Sequence, residues 1–123
     1  MVKDMGISPS DIYIFGRSIG TGLACHLASI EKPGGVILMS AYTSIKKLVS
    51  ELSSTFVGFF FNERFNNLEL MKNVNSPCLL IHGYEDNLIR CTHSEILKNE
   101  LVLYKKEVRY ECIPGMSHNK FNL

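Results

Sequence analysis

Three side chains suited to nucleophilic catalysis stand at separate turns of this 123-residue chain, and a serine comes first. Ser18 lies in the run Gly16-Arg17-Ser18-Ile19-Gly20, between an apolar segment and a helical pattern. A G-x-S-x-G turn that passes tightly from strand to helix leaves its serine strained and exposed. We therefore predict that Ser18 is a nucleophile. We also expect Gly16 and Gly20 to be required, because side chains at either position would clash with neighbouring backbone.

An acid and a base follow at the ends of two later strands. Asp86 lies in the loop after the apolar segment 78–82, and His118 lies in the loop after the alternating segment 107–113. A serine hydroxyl is a poor nucleophile until an imidazole takes its proton. A carboxylate on the other ring nitrogen holds the imidazole tautomer and stabilises the imidazolium. These residue types, in this order, predict two-step acyl transfer to water with Ser18 as the attacking group.

Each assignment has an alternative that the sequence leaves open. Ser18 could be a structural serine in a tight turn, and Asp86 competes with Glu85 beside it or could cap a turn. The other histidines of the chain are His26, His82 and His93. They are expected within the helix after the turn, at a strand end and at the start of an exposed helix, so none of them follows the last strand.

The three loops together resemble those of the α/β-hydrolases, in particular the small serine hydrolases that include the protein depalmitoylases. Residues 16–22 resemble the nucleophile elbow of that branch, residues 81–86 its acid loop and residues 115–119 its histidine loop. The resemblance implies hydrolysis of carboxylic esters or thioesters, with fatty-acyl thioesters on protein cysteines favoured. It also implies that the Ile19 N–H is one donor of an oxyanion hole. A peptidase of the same fold and a non-catalytic binding module are the alternatives.

The length of the chain limits how much of such a domain it contains. A complete domain of this family is much longer, so we expect residues 1–123 to form a single partial α/β-hydrolase domain, from the elbow to the histidine loop. The resemblance places the early strands, the loop with the second oxyanion donor and most of the closing helix outside this sequence. We expect a truncated or split hydrolase whose elbow strand, residues 11–15, is an exposed edge that invites a partner.

The hydrophobic periodicity predicts an α/β fold with about four parallel strands. Strands are expected at residues 11–15, 35–40, 78–82 and 107–113, and helices at 19–29, 45–54 and 92–104. The first helix carries Leu23, Leu27 and Ile30 on one face, and the last is expected to turn Ile96, Leu97, Leu101 and Tyr104 inward. Right-handed crossovers are expected to place helices on both faces of the sheet and to align the strand ends at one edge.

Two further patterns have a functional and a structural interpretation. Phe56, Phe59 and Phe60 belong to an aromatic cluster where the family often places lid or acyl-pocket residues, although core packing explains them equally well. The run Gly20-Thr21-Gly22 invites a dinucleotide interpretation. Cys25 stands where G-x-G-x-x-G requires its third glycine, however, and no P-loop lysine follows, so we expect no nucleotide site.

Composition excludes several classes of protein. With 46% hydrophobic residues, 20% charged residues and a formal net charge of +1, the chain offers no basic patch for nucleic acid. Its four cysteines show no C-x-x-C spacing, so we expect reduced thiols and neither a zinc site nor a disulfide framework. The hydrolase resemblance implies no metal or organic cofactor. The longest apolar run is too short to span a bilayer. We expect a cytoplasmic location, with peripheral membrane association in a longer form.

Overall fold

The computed structural model describes residues 3–52 and 65–120. Its four strands form one parallel sheet and lie side by side in chain order: β1 (Tyr13–Arg17), β2 (Gly35–Met39), β3 (Cys78–Gly83) and β4 (Val108–Ile113). Its α-helices are α1 (Gly20–Glu31), α2 (Ile45–Leu52), α3 (Asn67–Met71) and α4 (Thr92–Leu103). Two short 3₁₀ turns, Lys3–Met5 and Pro9–Asp11, precede β1. The predicted α/β class with four parallel strands is confirmed, and α3 was not predicted.

The helices that pack on this sheet lie on one face, which corrects the expectation of two covered faces. Helix α1 contacts β1 and β2, α4 contacts β3 and β4, and α3 contacts both α1 and α4. The reason is the strand order. Each right-handed crossover moves to the next strand in the same direction, so each places its helix on the same side. The predicted alignment of the strand ends at one edge holds in this parallel sheet.

The core lies between the sheet and this helix layer. The strand side chains that face the helices include Val36, Leu38, Cys78 and Leu80, each at most 4% exposed. Leu97 and Leu101 of α4 pack against them as predicted, and small residues of α1, namely Ala24, Cys25 and Ala28, complete the core. Burying these side chains supplies the main favourable free energy of folding.

Helix α1 buries its small residues and leaves its large apolar residues exposed. Leu23, Leu27 and Ile30, which the sequence places on one face, are 54%, 41% and 59% exposed. A helix whose buried face consists of glycine, alanine and other small residues can approach the strands closely, and its larger side chains then point outward. In α4, Tyr104 was expected inward but is 45% exposed at the helix C-terminus.

The opposite face of the sheet carries apolar side chains without a covering helix among the residues described. Tyr13 and Phe15 of β1 are 71% and 59% exposed on this face. Strand β1 is also one edge of the sheet, as expected for the elbow strand. A partner at this edge stays a prediction.

Several expectations concern cysteines, membrane segments and the aromatic cluster. The four cysteines are free thiols. Within residues 3–52 and 65–120, no helix is both long enough and apolar enough to cross a bilayer. Phe56, Phe59 and Phe60, the predicted acyl-pocket residues, lie outside the described residues, as do the last two positions of the helix predicted at 45–54.

The burial pattern predicts unequal costs for the same substitution in two helices. Leu97→Ala should lower the free energy of unfolding by about 2–5 kcal/mol, because it leaves a cavity in the core. Leu23→Ala should cost less than about 1 kcal/mol, because this side chain is largely in water. Urea denaturation followed by circular dichroism measures both. Equal losses would contradict the orientation of α1.

Candidate active site

The turn between β1 and α1 holds Ser18 in a left-handed backbone conformation, with a φ of 52°. This conformation is unfavourable for a residue with a Cβ and needs support from its surroundings. The Ser18 N–H donates a hydrogen bond of 2.9 Å to the carbonyl of Met39, at the end of β2. The Thr21 hydroxyl donates one of 2.7 Å to the Ser18 carbonyl. Both backbone groups of the strained residue are therefore held.

The two glycines of the turn are not equivalent, which corrects half of the prediction. A Cβ at Gly16 would lie 2.6 Å from the Ala24 Cβ and 2.8 Å from the Gly20 carbonyl oxygen, so Gly16 is sterically required. A Cβ at Gly20 would meet no atom within 4 Å outside the backbone of its own helix. The clash expected at Gly20 is wrong, because this position opens α1 and points away from the strand.

A continuous hydrogen-bonded chain joins the three residues that the sequence singled out. The Ser18 Oγ lies 3.1 Å from the His118 Nε2, and the His118 Nδ1 lies 2.8 Å from the Asp86 Oδ2. An ionised carboxylate can only accept, so the Nδ1–H donates to Asp86, and the lone pair on Nε2 accepts from the Ser18 hydroxyl. The structure thus brings together a serine from the end of β1, an acid from the loop after β3 and a histidine from the loop after β4.

Asp86 is buried, at 3% exposure, and its loop satisfies its second oxygen. The Asp86 Oδ1 accepts the N–H groups of Leu88 at 3.0 Å and Ile89 at 2.9 Å. Burial alone would raise the pKa of Asp86, but the Ile89 N–H and the His118 ring outweigh it and hold the pKa below its ordinary value. The carboxylate therefore stays charged and available to the imidazole at neutral pH.

A second histidine, His82, forms hydrogen bonds that hold the acid loop in place. Its ring is fully buried, with Nε2 2.7 Å from the Ile89 carbonyl oxygen and Nδ1 2.6 Å from the Ser94 Oγ. A carbonyl only accepts, so Nε2 carries the proton and Nδ1 accepts from Ser94. Burial lowers the pKa of His82 below its ordinary value. This neutral ring ties the acid loop to α4, and its Nε2 lies 3.6 Å from the Asp86 Oδ2.

The competing residues lie elsewhere. Glu85 is exposed, and His26 is exposed on α1. His93, expected on an exposed helix, is 1% exposed: its Nδ1 accepts from the Thr43 N–H at 3.1 Å, and its Nε2 lies 2.9 Å from a Glu51 carboxylate oxygen. These partners come from the loop and helix that follow β2, and they cover His93. The sequence around His93 gives no indication of such distant contacts.

Sequence reasoning missed three residues that support the turn and the histidine loop. Arg17 Nη2 donates to the His118 carbonyl and, at 3.2 Å, to the Asn119 Oδ1. Asn67 donates to the Thr21 hydroxyl at 3.2 Å, so it supports the group that holds Ser18. Arg17 and Thr21 adjoin the G-x-S-x-G motif, and their position could have drawn attention to them. Asn67 is 46 residues from Thr21 and had no such signal.

The surroundings of the turn also bear on whether it could bind a phosphate or a metal ion. A Cβ at Gly22 would lie 2.2 Å from the Tyr42 hydroxyl oxygen, so this glycine accommodates a tyrosine rather than a phosphate. Burial raises the pKa of Tyr42 to about 12, so the hydroxyl stays neutral. Among residues 3–52 and 65–120, no cluster of three or more His, Cys, Asp or Glu could hold a metal ion.

Two curated relatives are similar to this chain in sequence. A protein of Acanthamoeba polyphaga mimivirus that bears the name alpha/beta hydrolase L404 is 31% identical over 122 residues, which are 97% of this chain and 43% of that protein. Human alpha/beta hydrolase domain-containing protein 17B is 31% identical over 118 residues, or 96% of this chain and 39% of that protein. No family model matches the chain.

The fold is also shared with solved structures. A puromycin-hydrolyzing peptidase of Mycobacterium tuberculosis superimposes with a TM-score of 0.79 at 17% identity, over 96% of this chain and 20% of that one. With this parallel sheet and this turn at Ser18, the chain has a partial α/β-hydrolase fold, and it is similar over nearly its whole length to the two curated relatives. It spans about two fifths of the length of the curated relatives that it matches.

The contacts of the two motif glycines predict opposite outcomes for the same substitution. Gly16→Ala should lower the free energy of unfolding by about 1–3 kcal/mol, because the added methyl has no room against Ala24. Gly20→Ala should change it by no more than about 0.5 kcal/mol. Chemical denaturation of both variants checks this. A stable Gly16→Ala variant would mean that α1 can move away from β1.

The buried, neutral ring of His82 predicts a pH-dependent stability. As pH falls below about 6.5, the unfolded chain protonates this histidine while the folded chain resists. Stability is therefore fully present above that pH and declines below it, until the lowered folded pKa is reached. Denaturation midpoints from pH 7.5 to 5 should show a shallower decline in His82→Gln than in the parent chain. His26→Gln, on an exposed face, is the control and should keep the parental slope; an unchanged slope in His82→Gln would refute the assignment.

Proposed function

We propose that this chain is the part of a serine hydrolase that carries the nucleophile, the base and the acid. The observation that carries the proposal is the hydrogen-bonded chain from the Ser18 hydroxyl through His118 to the buried Asp86. Neither a structural serine nor a turn-capping aspartate requires the histidine between them. The named α/β-hydrolase relatives support hydrolytic chemistry of the same kind.

The reaction proceeds in two steps. The Ser18 Oγ attacks a carbonyl carbon while His118 Nε2 takes its proton, and His118 then returns the proton to the leaving group. A water molecule then hydrolyses the acyl-enzyme: His118 takes the proton of the water and returns it to the Ser18 Oγ as the acid product leaves. Throughout both steps, Asp86 stabilises the imidazolium that forms and keeps its Nδ1–H oriented.

The oxyanion of each tetrahedral intermediate needs hydrogen-bond donors. Ile19 has helical backbone angles, φ −56° and ψ −32°, and directly precedes α1. The first N–H groups of a helix have no partner within it, so the Ile19 N–H is suited to this role. Loss of one oxyanion donor typically costs about 10² to 10³ in kcat. If the chain supplies the Ile19 donor alone, its turnover will be correspondingly slow.

The substrates proposed are carboxylic esters or thioesters, with fatty-acyl thioesters on protein cysteines favoured by the branch resemblance. The loops around the site carry exposed apolar side chains: Ile19 beside the nucleophile is 65% exposed, and Tyr84 and Leu88 in the acid loop are 69% and 47% exposed. Such a rim suits an apolar acyl chain better than a charged substrate. An acyl pocket at Phe56, Phe59 and Phe60 remains part of this proposal.

A fluorophosphonate probe tests the proposal without assuming a substrate. The purified chain should gain the mass of one probe less hydrogen fluoride, because an activated serine attacks the phosphorus and displaces fluoride. Ser18→Ala and His118→Ala should gain none, since one lacks the nucleophile and the other its base. Ser29→Ala and His26→Ala, at positions outside the site, serve as matched controls and should label like the parent. Intact-mass spectrometry reads the adducts, and circular dichroism verifies that each variant is folded.

Two results would contradict the proposal. An adduct that survives in Ser18→Ala would assign the nucleophile elsewhere, and a folded parent chain without an adduct would favour the non-catalytic binding module.

A second experiment tests the substrate class of a chain that labels. One acyl group is presented to the chain as a thioester, an ester and an amide, and the three rates of cleavage are compared. Cleavage of the amide at a rate comparable with the other two would favour the peptidase alternative.

A further inference from the structure

We propose that Arg17 is a positioning residue that holds the histidine loop over the nucleophile. This inference rests on the proposed function, because it assigns Arg17 a part in keeping His118 in reach of Ser18. Arg17 is the residue before the nucleophile and the last residue of β1. Its guanidinium Nη2 donates to the His118 carbonyl oxygen and, at 3.2 Å, to the Asn119 Oδ1.

These contacts connect opposite edges of the sheet. Strand β1 is one edge and β4 the other, so the histidine loop must cross the ends of β3 and β2 to reach Ser18. The loop is anchored near its beginning, where Met116 is 1% exposed and its carbonyl accepts the Glu85 N–H at 3.1 Å. That anchor fixes the start of the loop and leaves the position of its tip to other contacts.

At the tip, the Ser117 N–H bonds to the Lys120 carbonyl at 3.2 Å, which closes the loop on itself. In the part of the chain that the structure describes, Arg17 joins β1 to the main chain of the tip at the His118 carbonyl and to a side chain of the tip at the Asn119 Oδ1. The His118 side chain reaches Ser18 and Asp86 by hydrogen bonds of 3.1 and 2.8 Å, which a displaced main chain would lengthen.

The chemistry of arginine suits this task. Both hydrogens of one guanidinium nitrogen are used, one for a main-chain carbonyl and one for a side-chain amide oxygen, and the planar head holds them in fixed directions. Hydrogen bonds from a charged donor are stronger than neutral ones. The two Arg17 contacts, to His118 and Asn119, are called the Arg17 clamp. Because Arg17 and Ser18 are adjacent in the same turn, the clamp moves with the nucleophile and sets the separation of Ser18 and His118 directly.

The test is the kinetics of fluorophosphonate labelling in Arg17→Met, Arg17→Lys and Asn119→Ala. Arg17→Met should lower the maximal inactivation rate about 10- to 100-fold, because small misplacements of a catalytic group have effects of this size. The concentration of half-maximal rate should not change, since Arg17 does not touch the probe. Arg17→Lys keeps a charged donor and should recover part of the rate, and Asn119→Ala keeps the His118 contact and should lose less than Arg17→Met. Arg109→Met, at an arginine whose side chain is 78% exposed, is the control and should label like the parent.

A second readout does not depend on activity. In ¹⁵N-histidine NMR spectra, the His118 Nδ1–H that donates to Asp86 should give a downfield proton signal, and Arg17→Met should weaken or shift it.

Parental labelling in a folded Arg17→Met variant would overturn the clamp, as would a change confined to the half-maximal concentration. If Arg17→Met does not fold, parental labelling by both Arg17→Lys and Asn119→Ala would overturn it. If the parent chain does not label, the proposed function fails, and an unchanged His118 signal in the folded Arg17→Met or Arg17→Lys variant would then overturn the clamp separately.

Discussion

The left-handed backbone of Ser18 is the constraint on which the rest of the site depends. A non-glycine residue in this conformation costs about 1–3 kcal/mol, and it persists because its neighbours leave no alternative. The Met39 carbonyl holds its N–H, Thr21 holds its carbonyl, and the absence of a side chain at Gly16 lets α1 pack close to β1. The strain has a consequence for chemistry, because it directs the hydroxyl out of the strand and toward the histidine loop.

In contrast to the strained Ser18, Asp86 is held by hydrogen bonds to both of its carboxylate oxygens. Its two oxygens accept from the His118 ring and from two N–H groups of its own loop, and a neutral histidine, His82, secures that loop against Ser94. Such a carboxylate does not have to reorganise when the imidazole gains a proton. The site therefore combines a strained serine with a preorganised carboxylate, and in the proposed reaction this carboxylate would stabilise the imidazolium without reorganising.

The sequence predicted what is local and missed what depends on distant contacts. Ser18, Asp86 and His118 could be found because each follows a strand, and the carboxyl ends of parallel strands meet at one edge. The strand order is not encoded locally, so the placement of the helices on one face was not foreseen. The same limit explains Leu23, which belongs to a regular apolar stripe that faces water, and His93, whose partners lie 42 and 50 residues away.

The geometry of the site depends on the packing of strands that contribute no residue to its hydrogen-bonded chain. Ser18 follows β1 and His118 follows β4, and these strands lie at opposite edges with β2 and β3 between them. The distance across the sheet is set by the hydrogen-bonded pairing of neighbouring strands, and buried side chains such as Leu38 and Leu80 stabilise this pairing. A loss of packing there would separate Ser18 from His118 without altering either side chain. The proposed reactivity thus depends on the stability of the sheet, and the Arg17 contact, which joins β1 directly to the histidine loop, would make it depend less on the packing of β2 and β3.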